Sequence, residues 1–208
     1  MSFAENEVFF SKSHVIPVLT PQSVDEGVAV SRALFEGGLH LHEITLRTPA
    51  GLQTIAALKK ETPGLIVGAG SVLTPEMGLA AITAGASFLV SPGTTDGLLD
   101  FAAACGVPFL PGVGSVSEAM RLLAMGCTMA KLFPAEPLGG VRFLQAISGP
   151  LRSMKFCPTG GIHAANALEY LKLANVTAVG GSWMAPNDLV KAKDFLGIRR
   201  LAEQAASL

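Results

Sequence analysis

The chain is short of cysteine, of aromatic residues and of charge. Its three cysteines, Cys105, Cys127 and Cys157, stand far apart with no CxxC spacing. An odd count without a pairing pattern fits free thiols in a reducing cytoplasm rather than a disulfide framework. Charged residues make up 15%, the formal net charge is −1, and no long run carries one sign. Such a balance offers no basic stripe to nucleic acid and no cationic face to an anionic membrane. Residues 1–10 carry Glu5 and Glu7 and lack a basic region followed by an apolar stretch, so no signal peptide is expected. Residues 77–95 are uncharged and long enough to raise the question of a membrane span. Gly78, Thr83, Gly85, Ser87, Ser91 and Pro92 divide that stretch into a helix, a turn and a strand, which predicts a soluble segment.

What the chain does have is aliphatic bulk. Half of its residues are hydrophobic and only 6% are aromatic, so the apolar mass lies in Ala, Val, Leu and Ile. That mix suits a parallel sheet buried on both faces, whose strands read as continuous apolar runs. The runs fall at 14–20, 39–46, 65–70, 88–91, 108–112, 128–133, 155–159 and 177–181. Their ends lie roughly 20 to 26 residues apart, the period of successive strand–helix units. Thr48-Pro49, Thr74-Pro75 and Ser115 read as helix starts, and Gly85 and Gly126 as helix ends. No linker or composition break interrupts the pattern. The expectation is one domain over 1–208, an α/β fold of eight units closed as a (β/α)8 barrel. The competing open doubly wound sheet would carry a GxGxxG turn after its first strand, where Val18-Leu19-Thr20-Pro21 stands instead.

In a barrel the chemistry belongs at the C-terminal ends of the strands. Lys131 lies inside the apolar run Met129-Ala130-Lys131-Leu132-Phe133, and alternation puts Met129, Lys131 and Phe133 on one face. A buried ammonium without a partner escapes by losing its proton, and a neutral amine is what attack on a ketone requires. The alternative is a lysine that reaches out to solvent or meets a carboxylate in a structural pair. On the second run, Leu39, Leu41, Glu43, Thr45 and Arg47 share a face. Glu43 is placed to move protons there, and Arg47 to clamp a carboxylate with its planar fork, unless the two form a structural ion pair. His40 and His42 take the opposite parity, as packing side chains without a third metal ligand. Gly160-Gly161 and Gly181-Ser182 end the last two runs, where glycine lets backbone N–H groups approach a phosphate. Ser71 and Pro92-Gly93-Thr94-Thr95 follow the third and fourth runs and read equally as pocket lining or as ordinary turns. Cys157 has no histidine placed to activate it.

Taken together, these segments resemble the bacterial KDPG/KHG aldolases, where KDPG is 2-keto-3-deoxy-6-phosphogluconate and KHG is 4-hydroxy-2-oxoglutarate. The resemblance is carried by Val15-Ile16-Pro17-Val18, Glu43-Ile44-Thr45-Leu46-Arg47-Thr48, Val67-Gly68-Ala69-Gly70-Ser71, Ser91-Pro92-Gly93, Lys131-Leu132-Phe133-Pro134-Ala135, Phe156-Cys157-Pro158-Thr159-Gly160-Gly161-Ile162 and Val179-Gly180-Gly181-Ser182-Trp183. It implies a homotrimeric (β/α)8 barrel with no metal or organic cofactor, which cleaves KDPG to pyruvate and glyceraldehyde 3-phosphate. Cleavage of KHG to pyruvate and glyoxylate is a further implied activity. Carried over, Lys131 forms the Schiff base and Glu43 is the general acid/base. Arg47, Ser71 and the backbone at Pro92 hold the pyruvate carboxylate, and Phe133 packs on the pyruvyl part. Thr159 contacts substrate hydroxyls and favours the gluconate over the galactonate epimer, while Gly160, Gly161, Gly181 and Ser182 cradle the phosphate. The chain departs from the family pattern around Met129-Ala130 and in Gly112-Val113-Gly114-Ser115, neither of which removes a catalytic group. A catalytically silent phosphate-binding barrel would need the Gly-Gly turns but neither Lys131 nor Glu43.

Overall fold

A computed structural model of the chain describes residues 6–208. Residues 1–5, half of the stretch read as free of a leader, lie outside the described residues. The strands are β1 (Val15–Leu19), β2 (Leu41–Thr45), β3 (Ile66–Gly70), β4 (Leu89–Val90), β5 (Phe109–Leu110), β6 (Gly112–Val113), β7 (Met129–Leu132), β8 (Lys155–Pro158) and β9 (Val179–Gly181). The helices are α1 (Asn6–Phe10), α2 (Val24–Glu36), α3 (Ala50–Glu61), α4 (Pro75–Thr83), α5 (Asp96–Ala104), α6 (Val116–Ala124), α7 (Gly140–Ser148), α8 (Ala167–Leu171), α9 (Asn187–Ala192) and α10 (Phe195–Ala206).

Every apolar run of the sequence contains a strand, and every pairing between strands is parallel. The result is an α/β fold with a curled parallel sheet, hydrogen-bonded in the orders β5-β4-β3-β2-β1-β9 and β6-β7-β8. The fifth run is split, because Pro111 has no N–H to give the ladder. Phe109–Leu110 pairs with β4, whereas Gly112–Val113 pairs with β7, and Pro111 contributes only its carbonyl, to Lys131 N–H at 2.8 Å. At the other margin, single bridges join Phe156 to Val176 and Thr159 to Gly180.

Side-chain alternation sorts the strands into two cores. Ile16, Leu41, Phe88, Val90, Leu110, Met129, Cys157 and Ala178 pack together with Phe10 of α1 on the concave side. Phe10 is fully buried, edge-to-face against Phe88 at 5.4 Å, so α1 closes the end of this core where the strands begin. Asn6 anchors that helix by bonding the Phe109 carbonyl at 2.6 Å. The opposite parity, Ile44, Val67, Ala69, Leu89, Ala130, Leu132, Phe156 and Val179, joins the larger core under the helices. On β2 this leaves Leu41, Glu43 and Thr45 on the concave side.

Helix boundaries follow local chemistry with one correction. Thr74 and Ser115 are N-caps of α4 and α6, accepting from Met77 N and Glu118 N, and Pro75 occupies the first turn. Gly85 and Gly126 each take positive φ one residue past the C-cap. Thr48 does not cap α3; its hydroxyl donates to Pro21 O at 2.6 Å and the helix starts after Pro49 without a side-chain cap. Residues 77–95 run from α4 into β4, and among the described residues no helix is long and apolar enough to cross a membrane.

His42 is a packing histidine, as its parity predicts. It is fully buried, its Nε2 pairs with Leu39 O at 3.0 Å, and Nδ1 has no partner among the described residues. Burial pushes its pKa down to about 3. The unfolded chain therefore takes up this proton near pH 6.5 while the folded chain refuses it, so stability is full above that pH and falls as the solution is acidified towards about 3. Between pH 8 and pH 5 this linkage should remove about 2 kcal/mol. Denaturant titrations at the two pH values should show that loss, and His42→Gln should be flatter by about the same amount. Equal slopes for the two proteins would contradict it.

Candidate active site

Glu43 and Lys131 project from β2 and β7 into the concave side and meet there. Lys131 Nζ donates to both carboxylate oxygens of Glu43, at 3.0 and 3.2 Å, and each side chain is only 4% exposed. Of the two readings the sequence left open for Lys131, the lysine meets a carboxylate, because alternation on β2 delivers Glu43 to the same space. Gly70 on β3 makes that placement sterically possible: a Cβ there would overlap the Glu43 carboxylate, at 2.5 Å from Cγ and 2.6 Å from Cδ. Phe133, just beyond β7 and on the same parity, sets its ring centroid 5.5 Å from Lys131 Nζ.

Arg47 is not paired with Glu43. Its Nε donates to Ser71 Oγ at 2.8 Å, leaving the outer nitrogens of the guanidinium unpaired among the described residues. Ser71 sits in the left-handed region with φ +58, an uncommon conformation for a residue with a side chain. The β3 exit turn thus bends back to offer its hydroxyl to Arg47. Pro92 lies at the β4 exit with its backbone directly against Gly112, where no Cβ could fit. Ser91 Oγ accepts from Gly112 N at 3.2 Å and locks the two exits together.

Beside this group opens a cleft of about 650 Å³. Arg47 and Phe133 line one part, and Thr159, Gly160, Gly161, Gly181 and Ser182 another. Gly160 and Gly161 hold positive φ values of +99 and +83. The N–H groups of Gly160, Gly161 and Ser182 donate to no acceptor among the described residues, which leaves them available to an anion. Thr159 stands beside Cys157, donating weakly to its carbonyl at 3.5 Å, and a Cβ at Gly180 would collide with its hydroxyl. Glu43, Lys131, Ser71 and Pro92 do not themselves wall the cleft; Phe133 and Arg47 connect them to it.

Two buried cysteines are held as thiols by their surroundings. Burial pushes the Cys157 thiol up to about 12, and the Lys131 ammonium opposes this only in part. Cys127 is likewise pushed up to about 11 by burial. His40 is exposed and packs its ring edge-to-face on Phe35 at 4.9 Å. Among the described residues no three His, Cys, Asp or Glu side chains gather as a metal site.

Sequence reasoning missed Thr20, Ile162 and Trp183. All three line the cleft, and Thr20 Oγ1 lies 2.9 Å from Oγ1 of the buried Thr45. Parity placed Thr45 beside Glu43, but nothing in β1 alone indicated that its exit would reach across to it. Trp183 follows the Gly-Gly turn of β9, and its ring occupies the space that a Cβ at Gly181 would take.

With this geometry in hand, the relationships of the chain are informative. A family model described as KDPG and KHG aldolase matches residues 7–201. A 2-dehydro-3-deoxy-phosphogluconate aldolase of Pseudoalteromonas atlantica is 46% identical over 95% of this chain and 92% of its own length. The KHG/KDPG aldolase of Escherichia coli K12 is 44% identical over 96% of this chain and 93% of its own. The crystal structure of KDPG aldolase from Legionella pneumophila, with pyruvate captured as a covalent carbinolamine, is similar with a TM-score of 0.94 and 41% identity. It covers 97% of this chain and 98% of that one. The chain belongs to the KDPG and KHG aldolase family.

Proposed function

We propose that this protein is a Schiff-base aldolase that cleaves KDPG to pyruvate and glyceraldehyde 3-phosphate, and also cleaves KHG to pyruvate and glyoxylate. The observation that carries the reading is the buried hydrogen-bonded pair of Lys131 and Glu43. Burying two charges costs several kcal/mol per ion, and a structural role is served as well or better by apolar side chains. A silent phosphate-binding barrel would have no use for such a pair. The pyruvate carbinolamine captured in the Legionella relative supports covalent chemistry on a keto acid in this family.

The steps follow from the pair. As substrate enters, Lys131 gives a proton to Glu43, and the free amine attacks the C2 ketone. Glu43 returns that proton to the departing hydroxyl, which leaves as water, and an iminium remains on Lys131. Glu43, again ionised, takes the proton from the C4 hydroxyl as the C3–C4 bond breaks and its electrons flow into the iminium. The aldehyde departs and an enamine remains, which Glu43 protonates at C3. Water then releases pyruvate and restores the ion pair. Lys131 itself supplies the electron sink, so the proposed reaction draws on no metal or organic cofactor.

The two ends of the substrate are assigned by charge. Arg47, steadied by Ser71, and the backbone at Pro92 take the pyruvate carboxylate, with Phe133 against the pyruvyl carbons. Gly160, Gly161, Gly181 and Ser182 cradle the phosphate, with the N–H groups of Gly160, Gly161 and Ser182 as donors, and Thr159 takes a hydroxyl between them. The name of the Pseudoalteromonas relative supports the phosphogluconate epimer. A single (β/α)8 domain over 1–208 is supported by the chain running directly from β5 through Pro111 into β6, and by the Thr159–Gly180 bridge. A homotrimer is supported by apolar side chains left exposed, among them Leu73, Leu79 and Met120. The cytoplasm is the proposed compartment, and the three cysteines are free thiols.

Pyruvate release from KDPG, coupled to its reduction by lactate dehydrogenase, tests the reading. Lys131→Met should abolish release. Glu43→Gln should lower kcat by on the order of 10²- to 10⁴-fold, the usual contribution of a positioned proton-transfer group. Near-normal turnover by folded Lys131→Met would refute the reading. Gly70→Ala should also lower kcat, by at least about tenfold, because the added methyl displaces the Glu43 carboxylate while leaving Lys131 in place. Unchanged kcat in folded Gly70→Ala would show that the position of Glu43 does not matter.

A further inference from the structure

Behind the Gly160–Gly161 turn stand two side chains that the proposed chemistry does not use. Tyr170 of α8 is fully buried in the core under the helices. A buried phenol needs a hydrogen-bond partner, and its hydroxyl donates to Glu136 Oε1, in the 3-10 turn Glu136–Leu138 after β7. Gly140 leaves the room for this, since a Cβ there would lie 2.6 Å from the Tyr170 hydroxyl and 2.9 Å from Glu136 Oε1. Burial and the adjoining carboxylate both push the Tyr170 hydroxyl well above the usual phenol range, which keeps it a donor.

Glu136 is fastened in turn to the glycine turn. Its backbone N–H donates to Gly160 O at 3.1 Å, and Ala135 N–H donates to Thr159 O at 2.8 Å. Its side-chain methylenes lie directly against Gly161, where a Cβ would stand 2.5 Å from Glu136 Cγ and 2.6 Å from Cβ. Gly160 and Gly161 line the cleft, whereas Glu136 and Tyr170 do not. The carboxylate is therefore tied back on the far side of the turn from the cleft.

We propose that Tyr170 and Glu136 are a positioning clamp for the anion-binding turn: they fix the Gly160–Gly161 backbone and hold a carboxylate away from the substrate phosphate. Neither side chain touches substrate. Released from Tyr170, Glu136 would lose its hold on Gly161 and its charge could swing toward the phosphate and repel it. The clamp rests on the reading of this turn as the phosphate site, so its effect belongs to phosphorylated substrate alone.

Steady-state kinetics on KDPG and on unphosphorylated KHG test this, with inorganic phosphate as a competing probe and circular dichroism to show that each variant is folded. Tyr170→Phe keeps the buried ring and removes only the donor. It should raise KM for KDPG roughly 5- to 10-fold, the scale of one hydrogen bond, with kcat within about twofold. KM for KHG should not change. Glu136→Ala, at an exposed position, should raise KM for KDPG in the same direction but by less, because it frees Gly161 without leaving a charge to repel phosphate, and Glu136→Gln, which keeps an acceptor, should stay near wild type. Adding Glu136→Gln to Tyr170→Phe should recover part of the lost affinity, because the freed side chain no longer carries charge. Equal changes on both substrates, a fall in kcat with KM intact, or no change in either variant would each overturn the clamp. If inorganic phosphate fails to compete with KDPG in the wild type, the phosphate site itself is wrong. If it competes equally in wild type and Tyr170→Phe, only the clamp is.

Discussion

The buried contact between Lys131 and Glu43 is the constraint around which the rest of the molecule is arranged. An ammonium and a carboxylate, each 4% exposed, are tolerable in an apolar interior only because each answers the other. Their meeting requires β2 and β7 to face one another across the concave side, and it requires Gly70 to leave the carboxylate its space. Apolar groups surround them: Met129, Leu41 and Phe88 toward the strand starts, and the ring of Phe133 toward the cleft. Such a pair is poised rather than inert, since moving one proton between its members neutralises both charges and releases a nucleophilic amine.

The strand exits convert this pair into a site with direction. Toward β3 and β4 lie Arg47, the strained Ser71 and the backbone of Pro92, a place for a carboxylate. Toward β8 and β9 lie turns in which Gly160, Gly161 and Ser182 line the cleft and their N–H groups have no acceptor among the described residues. On the proposed function, a phosphorylated keto acid would span these two places with its ketone at Lys131. Behind the Gly160–Gly161 turn, Glu136 bonds the Gly160 carbonyl through its backbone and Tyr170 through its carboxylate.

Much of this could be read from the chain because the physics that fixes it is local. The two-residue alternation that puts Leu41, Glu43 and Thr45 on one face of β2 depends only on extended backbone, and the same holds for Met129 and Lys131 on β7, whereas Arg47 and Phe133 stand in the turns just beyond. The helix starts at Thr74 and Ser115 were legible for the same reason, whereas Thr48 was not, because its hydroxyl is claimed by Pro21 from a distant loop. Partners set by tertiary approach were also hidden. Arg47 could have paired with Glu43, four residues away, but Ser71 intercepts it and Lys131 takes the carboxylate. Trp183 and the pairing of Tyr170 with Glu136 depend on how α8 and the β9 exit pack, which no periodicity encodes. The break at Pro111 was visible as a residue, yet its consequence, two half-strands with different neighbours, emerges only from the sheet.

A covalent imine between Lys131 and a keto acid can be trapped by incubating the folded protein with pyruvate and borohydride, followed by intact and peptide mass spectrometry. One reduced pyruvyl unit per chain is expected, located on Lys131 and absent without pyruvate. An unmodified Lys131, or label spread over the exposed lysines instead, would contradict it.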